Sequence, residues 1–149
     1  MDHRNQINGR CFCGKVQFSL EPPTDFVSHC HCESCRLSHS SAFVTWTSVP
    51  KERFILESGE KHLKWYRSSE WIEWGFCKEC GGQMLYRSIK EGHHESPKQE
   101  RMYISVGSLT SPIDRDPNAH VSYEEKIPWF TPRDDLPKFR GKGSERIEN

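Results

Sequence analysis

The sequence predicts a mainly β fold built from several short strands in a single domain. Short runs rich in β-branched and aromatic residues recur along the chain, as is typical of strands. Turns that contain glycine or proline separate these runs. No stretch keeps a 3.6-residue apolar period over three helical turns. Together these observations favour small sheets over a helical bundle.

The first strand-like run has the alternation of a half-buried strand, because Val16, Phe18 and Leu20 fall on one face. A short helical turn is expected around residues 36–40. The polar segment 90–101, which contains His93 and His94, is expected to be a solvated, projecting loop. We expect one domain over residues 1–139 and a flexible tail over residues 140–149, with strands at residues 15–20, 42–47, 54–56, 63–67, 83–87 and 102–106.

Charge and hydropathy limit the classes of partner. The 149 residues carry 21 Lys and Arg against 21 Asp and Glu, so the basic surface of a nucleic-acid-binding protein is not expected. No run of about 18 apolar residues could span a membrane, and the first ten residues lack the apolar segment of a signal peptide. We therefore expect a cytoplasmic protein whose thiols are reduced, with neither nucleic acid nor membrane as a partner.

The seven cysteines fall into three tight clusters, which are the most informative feature of the chain. A disulfide scaffold is disfavoured, because seven is an odd number and cysteines so close in sequence pair poorly. Thiolates two or three residues apart are typical zinc ligands. Only 34% of the residues are hydrophobic, so metal crosslinks are expected to contribute to folding. The clusters are Cys11-Phe-Cys13, Cys30-His-Cys32-Glu-Ser-Cys35 and Cys77-Lys-Glu-Cys80.

The first and third clusters together supply four thiolates. Each cluster is followed by a glycine, Gly14 or Gly81, which lets the backbone turn tightly around an ion. Four thiolates fill a tetrahedral site and leave no open position. The sequence therefore predicts a structural zinc ion held by Cys11, Cys13, Cys77 and Cys80.

The middle cluster supplies only three thiolates, from Cys30, Cys32 and Cys35, and leaves one position open. Zinc held by thiolates is a weak Lewis acid, but it suits a thiol as fourth ligand and lowers the pKa of that thiol. His29, His31 or His39 could instead close the site, and His39 is the main candidate because its spacing from Cys35 is that of a zinc knuckle. His31 lies between two ligands and is expected to point away from an ion that they share.

Three strings carry a family resemblance: Gly9-Arg-Cys11-Phe-Cys13-Gly14, then Cys30-His-Cys32-Glu-Ser-Cys35-Arg36, then Phe76-Cys77-Lys-Glu-Cys80-Gly81. In order and spacing they resemble the glutathione-dependent formaldehyde-activating enzyme family, which includes the centromere protein V-like proteins. The resemblance extends from about Gly9 to Phe139, with weaker matches at Ala42-Phe43, Gly107-Ser-Leu109, His120, Lys126 and Trp129.

The resemblance implies small zinc-braced sheets in a tent-like arrangement and two zinc ions. By motif, the four-cysteine set corresponds to the structural ligands, and Cys30, Cys32 and Cys35 correspond to the ligands of the catalytic zinc. The implied activity is that of a carbon–sulfur lyase, whose reference reaction joins glutathione and formaldehyde as S-hydroxymethylglutathione. The implied partners are a small thiol such as glutathione and an aldehyde.

Two residues beside the middle cluster are candidates for substrate binding. Arg36 could pair with a substrate carboxylate, could stabilise the anionic zinc–thiolate cluster, or could be a surface arginine. His39 stands where relatives commonly have a small residue, so it could crowd or close the site. In the enzymatic interpretation, zinc binds and ionises the thiol, which then attacks the carbonyl carbon. The alternative is a non-catalytic zinc module that binds a protein partner.

Overall fold

The computed structural model describes residues 5–89 and 100–148. These residues form twelve β-strands, one α-helix and three short 3-10 turns, and the strands are arranged in two sheets. The predicted mainly β fold is confirmed. Within the described residues, no helix has the length and apolar character needed to cross a membrane.

The strands are short, as the frequent turns predict. The single helix of the described residues, α1, is Glu33–His39. The strands are β1 (Ile7–Arg10), β2 (Gln17–Leu20), β3 (Val27–Cys30), β4 (Val44–Pro50), β5 (Phe54–Ser58), β6 (Leu63–Arg67), β7 (Ile72–Cys77), β8 (Gln83–Ser88), β9 (Arg101–Ser105), β10 (His120–Val121), β11 (Lys138–Arg140) and β12 (Glu145–Ile147).

Contacts divide the described chain into two compact units. Unit 1 takes residues 5–25, 47–89 and 100–114, and unit 2 takes residues 26–46 and 115–148. Strand β4 begins in unit 2 and ends in unit 1. The first and third cysteine clusters lie in unit 1, and the middle cluster lies in unit 2.

Unit 1 has an antiparallel sheet in the order β1–β2–β5 and an antiparallel run in the order β9–β8–β7–β6. Val16, Phe18 and Leu20, which the alternation places on one face, are each at most 1% exposed. Their hydrophobic cluster also contains Cys11 and Cys77. Two of the four candidate ligands are therefore anchored in the core of unit 1.

Unit 2 is organised around three parallel strands, β3, β10 and β11. His120 of β10 pairs with His29 of β3 on one side and with Lys138 of β11 on the other. Parallel strands end at the same edge of a sheet. The middle cysteine cluster lies at this edge, because β3 ends at Cys30 and α1 follows after two residues.

Six of the twelve strands overlap the runs that the sequence indicates, and α1 covers most of the expected turn at 36–40. The sequence analysis did not predict β1, β3, β7, β10, β11 and β12. Most of these are three or four residues long or mix polar and apolar side chains, so they show no clear alternation. Strand β12 lies in residues 140–149, which were predicted to form a flexible tail, and it pairs with β11. Most of the loop expected at 90–101, with His93 and His94, lies outside the described residues.

Candidate metal centres

Four sulfur atoms converge in unit 1. The Sγ atoms of Cys11, Cys13, Cys77 and Cys80 all lie within 4.8 Å of one another. Cys13 Sγ is 3.6 Å from Cys11 Sγ and 3.8 Å from Cys77 Sγ. In a tetrahedron with zinc–sulfur distances of about 2.3 Å, the sulfur atoms are about 3.8 Å apart. The spacing of this four-cysteine group therefore fits a zinc ion.

Two tight turns shape the four-cysteine group. Gly14 (φ +80°) and Gly81 (φ +75°) both adopt the left-handed conformation that glycine allows at little cost. The amide of Gly14 donates to the carbonyl of Cys11, and that of Gly81 donates to the carbonyl of Cys77. Backbone N–H groups also point at sulfur, since the amide of Val16 donates to Cys11 Sγ at 3.3 Å. Such donors favour the thiolate form that binds metal.

Three sulfur atoms converge in unit 2. Cys30 ends β3, Cys32 is the N-cap of α1, and Cys35 lies within the helix. Their Sγ atoms lie within 4.8 Å of one another, and those of Cys30 and Cys35 are 3.6 Å apart. His39 is not part of this three-cysteine group. Among the described residues, no fourth His, Cys, Asp or Glu side chain joins these three.

Neutral donors stabilise negative charge on the three-cysteine group. The amide of Cys35 donates to Cys32 Sγ at 3.2 Å, and the indole Nε1 of Trp46 donates to Cys35 Sγ at 3.3 Å. Hydrogen bonds from Cys30 and Cys35 hold the pKa of Cys32 far below its usual range, while the pKa values of Cys30 and Cys35 rise in turn. The three closely spaced thiols therefore titrate as one coupled group, and a bound cation would take the place of the protons that they retain.

The two predicted substrate-binding residues both lie on α1. The Nε of Arg36 donates to the carbonyl of His31 at 3.3 Å, so this side chain supports the loop between Cys30 and Cys32. His39 is half-buried, and its ring contacts that of Trp46 edge-on at 5.2 Å. Burial lowers the pKa of His39 to about 4, which keeps the ring neutral at physiological pH.

All seven cysteines are free thiols. Sequence reasoning missed other groups around the middle cluster. Trp46 was not distinguished from the remaining tryptophans. Asp134, whose Oδ2 lies 2.9 Å from His120 Nε2, was not singled out. Lys142 is a third such group, because burial lowers its pKa while the negative charge of Cys30, Cys32 and Cys35 opposes that shift. No local sequence signal connects the 142 region with residues 30–35.

Comparisons with known proteins agree with this geometry. Residues 6–125 match the family model described as glutathione-dependent formaldehyde-activating enzyme. A protein of Schizosaccharomyces pombe named as an uncharacterized lyase is 30% identical over 130 residues, which span 85% of this chain and 91% of that protein. A crystal structure of a Rhodobacter sphaeroides protein has a similar fold, with a TM-score of 0.55 and 21% identity over 73% of this chain and 93% of that one.

The turn at Gly81 provides a test of the four-cysteine group. A Cβ at Gly81 meets no atom within 4 Å, so Gly81→Ala changes only the cost of the left-handed conformation. We expect a loss of about 1 kcal/mol in the unfolding free energy of the zinc-loaded protein, measured by chemical denaturation. Gly107→Ala is the control, since its Cβ is equally unobstructed and its φ is not positive. Equal losses in the two variants would contradict the role of the turn.

The indole donor to Cys35 provides a test of the three-cysteine group. Trp46→Phe keeps an aromatic ring but removes the N–H···S contact, so we expect roughly fivefold weaker binding of the second zinc ion in a chelator competition titration. Trp74→Phe is the matched control, because Trp74 is also buried and its Nε1 donates at 2.8 Å to Ser68 Oγ. Equal second-site affinities in the two variants would show that the donor to sulfur is irrelevant.

Proposed function

This chain belongs to the glutathione-dependent formaldehyde-activating enzyme family, and from that premise we propose that it is a zinc-dependent carbon–sulfur lyase acting on a small thiol adduct. The reference reaction joins glutathione and formaldehyde as S-hydroxymethylglutathione. The observation that carries the proposal is the three-cysteine group in unit 2, to which no fourth protein ligand is added among the described residues. A metal centre that performs chemistry keeps such a position open for its substrate.

The two cysteine groups are assigned different tasks in this proposal. Cys11, Cys13, Cys77 and Cys80 hold a structural zinc ion, because four thiolates complete its coordination. Cys30, Cys32 and Cys35 hold the catalytic zinc ion. Zinc supplies a Lewis acid at that place, which lowers the pKa of an incoming thiol. The name of the Schizosaccharomyces pombe relative, a lyase, supports the reaction class.

The reaction forms one carbon–sulfur bond and moves one proton from the thiol to the carbonyl oxygen. The thiol loses its proton, its sulfur forms a bond to the carbonyl carbon, and the carbonyl oxygen takes up a proton to become the hydroxyl of the adduct. In the reverse direction the carbon–sulfur bond breaks and the aldehyde is released. The indole of Trp46 and the backbone amide of Cys35 donate to sulfur and do not titrate, so they can stabilise the thiolate charge of the centre throughout these steps.

Arg36 and His39 are proposed as substrate-binding residues. The Nε of Arg36 is used by the carbonyl of His31, and a guanidinium carries four further N–H donors that can pair with a substrate carboxylate. His39 stays neutral because of its burial, so it contributes hydrogen bonding rather than charge. Seven free thiols need a reducing compartment, and we propose the cytoplasm.

Two serine variants test the assignment of tasks. We expect Cys32→Ser to fold, to retain one tightly bound zinc ion and to lose glutathione-dependent turnover of formaldehyde. We expect Cys80→Ser to lose about 3 kcal/mol or more of unfolding free energy, because a structural zinc ion contributes its binding energy to folding. Zinc content, circular dichroism and turnover measured on both proteins check these outcomes. A stable Cys80→Ser protein with two zinc ions, or full turnover by Cys32→Ser, would contradict the assignment.

X-ray absorption at the zinc edge distinguishes the enzyme from a non-catalytic zinc module. With one four-thiolate and one three-thiolate site, we expect the average sulfur coordination to rise from about 3.5 to about 4 when glutathione is added. His39→Ala serves as the second arm. An enzyme with an open position keeps its second zinc ion in this variant, whereas a module closed by His39 loses it. Spectra that do not respond to glutathione would overturn the proposed function.

A further inference from the structure

A chain of three polar side chains in unit 2 ends at His31, the residue between Cys30 and Cys32 of the three-cysteine group. His120 Nε2 lies 2.9 Å from Asp134 Oδ2, and His120 Nδ1 lies 2.8 Å from His31 Nε2. The side chain of Asp134 is 41% exposed, while His120 and His31 are 1% and 0% exposed. The chain thus begins at the surface and ends at a buried imidazole between two metal-ligand candidates.

The carboxylate determines the direction of every hydrogen bond in this chain. An ionised carboxylate only accepts, so His120 carries its proton on Nε2 and donates it to Asp134. With that single proton on its ring, His120 accepts at Nδ1, and His31 donates from its own Nε2. In this arrangement both rings carry their proton on Nε2. His31 Nδ1, which has no hydrogen-bond partner among the described residues, is buried as a bare acceptor.

His31 has little else to hold its ring in place. The ring packs against Phe43 at 5.2 Å and against Tyr123 at 5.3 Å, both between centroids. These surfaces are aromatic and offer no strong acceptor for an imidazole N–H. The hydrogen bond to His120 is thus the directional contact of the side chain, while the backbone amide of His31 donates to the carbonyl of Val121.

The orientation of His31 is coupled to that of the cysteines on either side. In extended backbone, alternate side chains point to the same side, and the one between them points to the other. Cys30 is the last residue of β3, and Cys32 caps α1 in an extended conformation (φ −62°, ψ 151°). Holding His31 on the buried side therefore directs Cys30 and Cys32 together towards the opposite side.

We propose that Asp134, His120 and His31 form a positioning relay that aligns Cys30 and Cys32 for the metal ion of unit 2. Asp134 and His120 do not belong to the three-cysteine group, and they act through His31. The inference rests on the proposed function only in taking Cys30, Cys32 and Cys35 as metal ligands. It adds residues, one of them beyond the matched family region, that determine how tightly the ion is held.

Asp134→Asn tests the relay with a minimal change of shape. An amide can donate as well as accept, so it no longer enforces one tautomer on His120. Partners that orient metal ligands typically contribute 10- to 100-fold to affinity, and we expect about tenfold weaker binding of the second zinc ion, with the first site unchanged. Asp135→Asn is the matched control, because it removes the same charge from the neighbouring, exposed carboxylate. Asp134→Glu keeps a carboxylate and is expected to recover most of the affinity.

The affinities are measured by chelator competition on the full chain, and cobalt absorption reports the geometry of the second site. Nitrogen-15 NMR of the unmodified zinc protein gives the histidine tautomers without any substitution, and we expect Nε2–H for His31 and His120. Equal second-site affinities for Asp134→Asn and Asp135→Asn, or an Nδ1–H tautomer at either histidine, would overturn the relay. Zinc bound at both sites without thiol turnover would overturn the proposed function alone.

Discussion

Mutual repulsion of sulfur charges is the constraint on which both centres depend. Two unit charges about 4 Å apart repel by about 4 kcal/mol at the effective dielectric constant of a protein surface. The sulfur atoms here are as close as 3.6 Å, so each group must either keep most of its protons or enclose a cation. These sulfur–sulfur distances are too short for separate thiolates and too long for disulfide bonds. They do match the distances between sulfur atoms in a zinc tetrahedron. The metal is therefore a condition for the charged form of both groups.

The four-cysteine group connects distant parts of unit 1. Cys13 and Cys77 are 64 residues apart in sequence, and an ion between them closes a loop that the unfolded chain would otherwise leave open. Loop closure costs entropy that grows only slowly with length, so the long separation is tolerated. Cys11 and Cys77 are also buried in the hydrophobic cluster. A metal ion bound by this group would therefore couple its binding to the packing of the core in this unit.

The cysteine groups could be predicted because the spacing of zinc ligands within each cluster is a local sequence pattern. Ligands two or three residues apart are visible in any window of the sequence, and the pairing of the first and third clusters follows from the need for four ligands. The three parallel strands of unit 2 could not be predicted in this way. Strands β3 and β10 are short and contain histidine, and their pairing joins residues about 90 positions apart. A contact such as His31 with His120 leaves no periodicity or motif that the sequence alone would reveal.

The same pairing explains why the sequence drew attention to His31 but did not reveal the relay that ends there. His31 stood out because it lies between two cysteines, and the expectation that it points away from them follows from the alternation of extended chain. The partner of His31 is His120 of β10, which in turn contacts Asp134. This partner could not be identified without the parallel pairing that brings His120 beside His29. Residues that act through others are in general set by tertiary contacts, and one of those here, Asp134, lies outside the family match.

Charge balance finally distinguishes the two groups chemically. Four thiolates and one zinc ion carry a formal charge of about −2, while three thiolates and zinc carry about −1. A thiol that joined the second centre as thiolate would bring it to the same formal charge as the first centre, where neutral backbone donors contact sulfur. Unit 2 adds the indole of Trp46 and the ammonium of Lys142, whose pKa responds to the three cysteines. The surroundings of the three-cysteine group thus offer a neutral donor and a positive charge to an anionic metal centre, which is consistent with the proposed binding of a thiolate there.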